Sequence, residues 1–190
     1  MTRTELHNLV TTSNDSKLLL EVATGFGKTL AAILFIEKHL GLWNIVVAET
    51  AHIKTWTDEF IKHGKQHLLN NVKIFCYASL HKHLDGGNYV FDEVHHALSI
   101  KRLALLKKIN LSKVIALSAT VNNHQKAKLT AAIGNYTTIR ITLSDAIDEG
   151  VLPEPMVYFV GVNLDNNWAN CKHNMFSFTK TILTVSPIII

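Results

Sequence analysis

Cysteine is scarce in this chain of 190 residues: there are two, Cys76 and Cys171. They are far apart, and no C-x-x-C occurs, so neither a disulfide framework nor a zinc ribbon is suggested; a reducing compartment fits. Long apolar runs are missing too. No stretch reaches the roughly 18 residues that a membrane helix needs, so no membrane partner is expected. The C-terminal run Ile182–Ile190 is apolar but too short, and reads as a strand without its partner. Residues 1–15 carry Thr, Asn and Asp where a secretory signal would have an apolar centre. The expected setting is intracellular: cytoplasmic, or the host cytoplasm for a viral protein. Repeats and low-complexity segments are absent. Charged residues make up only 18% and the net charge is +4, which tolerates nucleic acid as a partner without requiring it. What the chain has is apolar residue, 47% of the total. That fills a core and is not a disordered composition. The length allows one domain and part of another.

The most informative stretch is Val22-Ala23-Thr24-Gly25-Phe26-Gly27-Lys28-Thr29. It follows the apolar run Leu18–Val22 and precedes a helical pattern at Leu30, Ala31, Ile33, Leu34, Ile36 and Leu40. Strand, glycine turn, Gly-Lys-Thr and helix is the context of a phosphate loop. Glycines let backbone N–H groups curl toward phosphate oxygens, and the helix adds its positive end. Lys28 would reach the outer phosphates, and the Thr29 hydroxyl would bind Mg²⁺. The strict pattern G-x-x-x-x-G-K-[ST] is not met, because Val22 stands where its first glycine would be.

Along the chain, a helical turn is predicted at Thr4–Val10, a strand at Asn44–Glu49, a helix at Ala51–His63 and a strand at Val72–Tyr77. A short helix follows at Ser79–His83. Asp85–Asn88 is a turn by composition and leads into the strand Tyr89–Phe91. A helix over Leu98–Ile109 carries Lys101, Arg102, Lys107 and Lys108, read as a solvated face. Then come the strand Val114–Leu117, a helix from Gln125 to Ile133, the strand Thr137–Ile141, and a short helix Asp145–Glu149 with Ser144 as its cap and Gly150 as its end. After the break Pro153-Glu154-Pro155, a last strand is expected at Met156–Val162. Alternating strands and helices predict an α/β fold, a mostly parallel sheet covered on both faces. The expected division is a domain over 1–162, with 163–190 a linker or the start of a second domain.

A phosphate loop needs carboxylates to hold the metal and activate water. Asp92-Glu93 directly follows Tyr89-Val90-Phe91. Ligands of open α/β sheets bind at the C-terminal ends of strands, so Lys28 and Asp92 can face one nucleotide. Asp92 would hold Mg²⁺, and Glu93 would orient and deprotonate the attacking water. The plainer reading is an acidic helix start. His95-His96 does not suggest zinc, since adjacent helical residues point about 100° apart and H-E-x-x-H is absent. His81 and His83 read as exposed polar residues. Trp43, Trp56 and Phe60 read as core rather than base-stacking groups.

Several segments together resemble superfamily 2 helicases. Ala23–Thr29 resembles motif I, which often lacks the first Walker glycine. Asp92-Glu93-Val94-His95 matches the D-E-x-H form of motif II, and Ser118-Ala119-Thr120 after an apolar strand matches motif III. Val46–Glu59 looks like motif Ia, with Thr50 where a helix begins. Cys76–Leu80 is similar to the Tyr-x-Ser-Leu segment before motif II, and Asp145–Pro153 resembles the segment closing the first motor domain. The sub-type looks like the type III restriction, or excision-repair, DExH group; Swi/Snf-type translocases are less similar because they rarely carry Ser-Ala-Thr.

The resemblance, over roughly residues 17–160, implies a RecA-like P-loop ATPase domain using ATP and Mg²⁺. It implies that Thr24, Gly25, Phe26, Gly27, Lys28 and Thr29 bind phosphates, that Thr29 and Asp92 hold Mg²⁺, and that Glu93 is the base. His95, Ser118 and Thr120 would couple hydrolysis to movement on nucleic acid, DNA ahead of RNA, and residues near Thr50 and Ser79 would touch backbone phosphates. Two departures stand out. Residues 1–28 contain no glutamine, so the usual adenine-reading residue is not visible. Nothing after residue 160 resembles motifs IV to VI. An arginine finger, worth on the order of 10³–10⁵ in rate, would have to come from a second motor domain or subunit. The isolated chain is expected to bind ATP–Mg²⁺, hydrolyse it slowly and not unwind a duplex. Two other readings stay open: another P-loop DNA motor, such as a viral packaging ATPase, and a non-catalytic nucleic-acid-binding module with a relic site.

Overall fold

Hydrophobic alternation along each strand sets the architecture. In the first strand, Leu18, Leu20 and Val22 face one core and Leu19 the other, and all four are fully buried. Successive strand residues point to opposite faces, so a strand with apolar side chains on both sides needs a layer on each. The computed structural model describes residues 1–153, which belong to a compact unit spanning Met1–Glu154. The elements are α1 (Arg3–Thr12), β1 (Lys17–Val22), α2 (Lys28–Lys38), β2 (Trp43–Val47), α3 (Thr50–Lys62), β3 (Val72–Cys76), β4 (Gly87–Phe91), α4 (Ile100–Leu106), β5 (Leu111–Ser118), α5 (Asn123–Ile133), β6 (Thr137–Ile141) and α6 (Leu143–Asp148). Short 3-10 helices cover Gln66–Asn71, Tyr77–Lys82 and Val94–Leu98.

The six strands form one sheet in the order β3-β2-β4-β5-β1-β6, and every pairing is parallel. One face is packed by Leu6 and Val10 of α1, Ala31, Ala32, Ile33, Phe35 and Ile36 of α2, Trp56 and Phe60 of α3 and Ala146 of α6. The other is packed by Tyr77, Leu80, Val94, Leu106, Leu129 and Ile133. The expected α/β class is therefore observed, with both faces covered as a parallel sheet requires. β1 and β4 lie on either side of β5. Their carboxyl ends thus open onto one rim, where α/β sheets place ligands.

Several local expectations change. The turn expected at Thr4–Val10 is a full helix, fixed by a capping box: Thr2 Oγ1 accepts from the Glu5 N–H at 3.1 Å, and the Thr2 N–H donates to Glu5 Oε2 at 2.8 Å. Leu40 does not belong to α2; it lies beyond its end and is 80% exposed. The helix expected over Leu98–Ile109 shortens to α4, because Ser99 is extended (φ −70°, ψ 151°) and interrupts the preceding 3-10 turn. Ser144 does not cap α6. Thr142 does, two residues earlier, in a capping box with Asp145, and Gly150 follows at φ 66°. The predicted strand Met156–Val162 and the segment 163–190 lie outside the described residues. Among the described residues no helix is long and apolar enough to cross a membrane.

Candidate active site

α2 begins where the chain can turn sharply. Gly25 has φ 81° and Gly27, the residue preceding the helix, has φ 97°, conformations that a β-carbon disfavours. The turn brings Lys28 back over its own strand, so that its ammonium donates to the Val22 carbonyl at 3.0 Å. Burial pushes the Lys28 ammonium below the ordinary lysine value, and the charges of Glu93 and Asp92 oppose this without cancelling it. The lysine and both acids line one cleft of about 570 Å³, together with Thr24, Gly25, Gly27 and Thr29. The loop after β1 and the acids after β4 are thus brought together, although about sixty residues separate them in sequence.

Three groups that sequence reasoning missed shape this cleft. The indole of Trp56, on α3, donates from Nε1 to Asp92 Oδ2 at 2.9 Å. Trp56 is 2% exposed, as expected of a core residue, but its polar edge orients an acid of the site. On the far side, α1 lies against the phosphate-type loop. Arg3 Nη2 donates to the Gly25 carbonyl at 2.8 Å. His7 Nε2 is buried without a partner and stands 3.3 Å from where a Gly27 β-carbon would sit. Burial is the main reason the His7 ring is held below its usual pKa, so it faces the loop as the neutral base. The buried polar edge of a tryptophan was the one available sequence signal; Arg3 and His7 gave none, since they sit in a polar segment without a motif.

Asp92 is held twice. Besides the indole, the hydroxyl of fully buried Tyr77 donates to its backbone carbonyl at 2.9 Å. Glu93 has φ 47° and ψ 62°, the one left-handed non-glycine residue among those described. Such a conformation costs of order 1–3 kcal/mol and persists where the surroundings enforce it. It places Glu93 at the head of the 3-10 turn Val94–Leu98, with His95 Nδ1 at 3.4 Å from Oε2.

The remaining expectations divide. Phe26 contributes no side chain to the cleft: it is fully buried in the core beside Leu6 and Val10. Ser118 and Thr120 lie at the end of β5 and do not line the cleft. Ser118 is 1% exposed and donates from Oγ to the Thr120 carbonyl at 3.0 Å, whereas Thr120 is exposed. Thr50 starts α3 as expected. His83 is not simply exposed; it stacks on Phe75 with ring centroids 4.1 Å apart. Arg102 leaves the solvated basic face to lie over Tyr77 and donate to the His96 carbonyl. Among the described residues no cluster of three or more His, Cys, Asp or Glu could hold a metal ion. The oxygen donors Thr29 and Asp92 suit a hard cation that keeps water and phosphate ligands, as Mg²⁺ does.

No protein-family model matches the sequence, and no curated protein is significantly similar to it. Solved structures are similar. The Hef helicase domain of Pyrococcus furiosus aligns with TM-score 0.54 and 15% identity, over 77% of this chain and 39% of that one. The SWI2/SNF2 ATPase core of Sulfolobus solfataricus, in complex with dsDNA, aligns with TM-score 0.53 and 18% identity, over 98% of this chain and 53% of that one. The fold is RecA-like, as in these helicase and ATPase domains. The chain spans about half or less of their length. The two likenesses are of equal strength, so the backbone does not separate the DExH pattern from the Swi/Snf one.

Two substitutions probe this RecA-like cleft. Gly27→Ala should destabilise by about 1–2 kcal/mol through its left-handed φ, and further through crowding of His7. Gly64 also has positive φ (67°) but no atom near its would-be β-carbon, so Gly64→Ala should lower the melting temperature less. Trp56→Phe should cost about 1–3 kcal/mol in denaturant unfolding. Most of that cost should vanish in an Asp92→Ala background, because a double-mutant cycle isolates their bond.

Proposed function

We propose that this chain is the ATP-binding motor domain of a DExH-type helicase, spanning about residues 1–162 and working in the cytoplasm on nucleic acid, DNA ahead of RNA. The observation that carries the reading is the meeting of Lys28, Asp92 and Glu93 in one cleft at the sheet rim. In this reading the loop Thr24–Thr29 cradles phosphates with backbone N–H groups, Phe26 through its backbone alone, and the helix start adds favourable potential. Lys28 leaves the Val22 carbonyl for the outer phosphates. Thr29 and Asp92 would hold Mg²⁺, and the ion would supply neutralisation of phosphate charge. Trp56 keeps Asp92 in one rotamer. Glu93 takes the proton of the attacking water, and His95 beside it relays its state to the neighbouring strand end at Ser118 and Thr120.

The dsDNA bound to the SWI2/SNF2 core supports a nucleic-acid partner here; in this reading a second motor domain or subunit completes the site. The test is equilibrium binding of a fluorescent ATP analogue with Mg²⁺, followed by phosphate release with and without DNA or RNA. Binding with slow turnover is the expected result. Failure to bind ATP at millimolar concentration would sink the reading, and robust unwinding by the isolated chain would overturn the need for a second domain.

A further inference from the structure

Glu21 is the one charged residue among those described that is buried, 5% exposed, and the function proposed above leaves it without a task. It precedes Val22, whose carbonyl accepts the Lys28 ammonium at 3.0 Å. Its side chain turns away from the face of Leu20 and Val22. There the Val121 N–H donates to Oε1 at 3.3 Å, the Lys126 ammonium of α5 lies 2.7 Å from Oε2, and Arg140 Nε of β6 lies 3.7 Å from Oε1. Ser118 and Arg140 are also its partners in strand register. A single carboxylate thus joins the strand that feeds the phosphate-type loop, the segment Ser118–Val121, the helix α5 and the edge strand. Burial alone would raise its pKa, but the paired Lys126 ammonium, the Val121 N–H and the Arg140 charge more than offset this, so the group is ionised.

Burying such a pair is a weak way to gain stability, because desolvation consumes most of the attraction. What the arrangement does supply is fixed geometry between two loops on one rim. We propose that Glu21 is a positioning residue that ties Ser118–Val121 to the phosphate-loop strand, so that nucleotide binding at Lys28 is felt in that segment. The inference rests on the ATP reading above. The route is short. When Lys28 turns from Val22 to phosphate, the end of β1 loses one hydrogen bond, and the adjacent side chain passes the adjustment to the Val121 amide.

Backbone hydrogen exchange with and without ATP–Mg²⁺ tests this, in the parent chain and in Glu21→Gln. The parent should bind nucleotide and show altered exchange over Ser118–Val121. Glu21→Gln should bind nucleotide with unchanged affinity, exchange the Val121 amide about tenfold faster as its charge-assisted bond weakens, and lose the nucleotide response. Lys126→Met provides a second variant should Glu21→Gln fail to fold; it too should lose the response while keeping affinity. A response retained in a folded variant, or absent from a nucleotide-binding parent, overturns the inference and leaves the ATP reading standing. A parent that does not bind ATP overturns both.

Discussion

Lys28→Ala is expected to lower ATP affinity by about 100-fold or more and to remove hydrolysis, while leaving the fold intact. The affinity loss follows from charge-assisted bonds worth about 1.5–3 kcal/mol each, with about 1.4 kcal/mol per decade of affinity. The intact fold follows from the environment of the ammonium. Lys28 is held below the ordinary lysine pKa of 10.5, with burial the largest cause, so the folded state disfavours its charged form. Between that lowered pKa and 10.5 the unfolded chain binds more protons than the folded one, and stability rises with pH. At neutral pH the penalty is therefore present in full, and removing the ammonium relieves it. The bond from the ammonium to the Val22 carbonyl works in the opposite direction, at about 1.5–3 kcal/mol for a charged donor. Thermal unfolding of the variant should accordingly stay close to that of the parent, and titration with a fluorescent ATP analogue should read the affinity. A variant that unfolds early would put the lysine's main role in the fold; one that binds ATP as the parent does would take it out of the site.

The contrast between what could be read from residues and what could not has physical causes. β1, β4 and β5 were visible because their apolar residues are buried on both faces and their runs are short and bounded. The meeting of Lys28 with Asp92 and Glu93 was visible because topology, not local pattern, brings strand ends to one rim. Helical apolar spacing places the ring of Trp56 in the core, where it lies, but nothing in that spacing shows that its N–H meets an acid 36 residues away. Glu21 was hidden by its neighbours: within Leu18–Val22 it reads as one polar residue in a strand. Only the register of β6 and the packing of α5 show which cations surround it. Sequence alone does not place the cap of α6, because Thr142 and Ser144 are both good cap residues and the reciprocal bond with Asp145 decides between them.

Glu93→Gln is expected to keep nucleotide affinity within about threefold of the parent and to slow hydrolysis by about 10²–10⁴-fold, the range for a positioned general base. Glutamine is nearly isosteric and carries the same β-carbon, so the strain of φ 47° is common to both and cancels from the comparison. What changes is the charge and the ability to accept a proton, including the approach of His95 Nδ1 at 3.4 Å. Because Glu93 is the larger of the two carboxylate influences raising the Lys28 pKa, its neutralisation should leave that ammonium more depressed, but it also removes a negative charge from the cleft that receives the phosphates. The two effects oppose one another, so a large change in affinity is not expected. Glu93→Gly separates strain from chemistry: relief of the left-handed backbone should stabilise the fold by about 1 kcal/mol, while hydrolysis should be lost as completely as in the glutamine variant. Single-turnover phosphate release with denaturant unfolding on the same three proteins measures both quantities. If the glycine variant is more stable and inactive, the strain is held at the site for the sake of the carboxylate's position. Hydrolysis that survives in both variants would remove Glu93 from the reaction and leave the D-E-x-H likeness without a base.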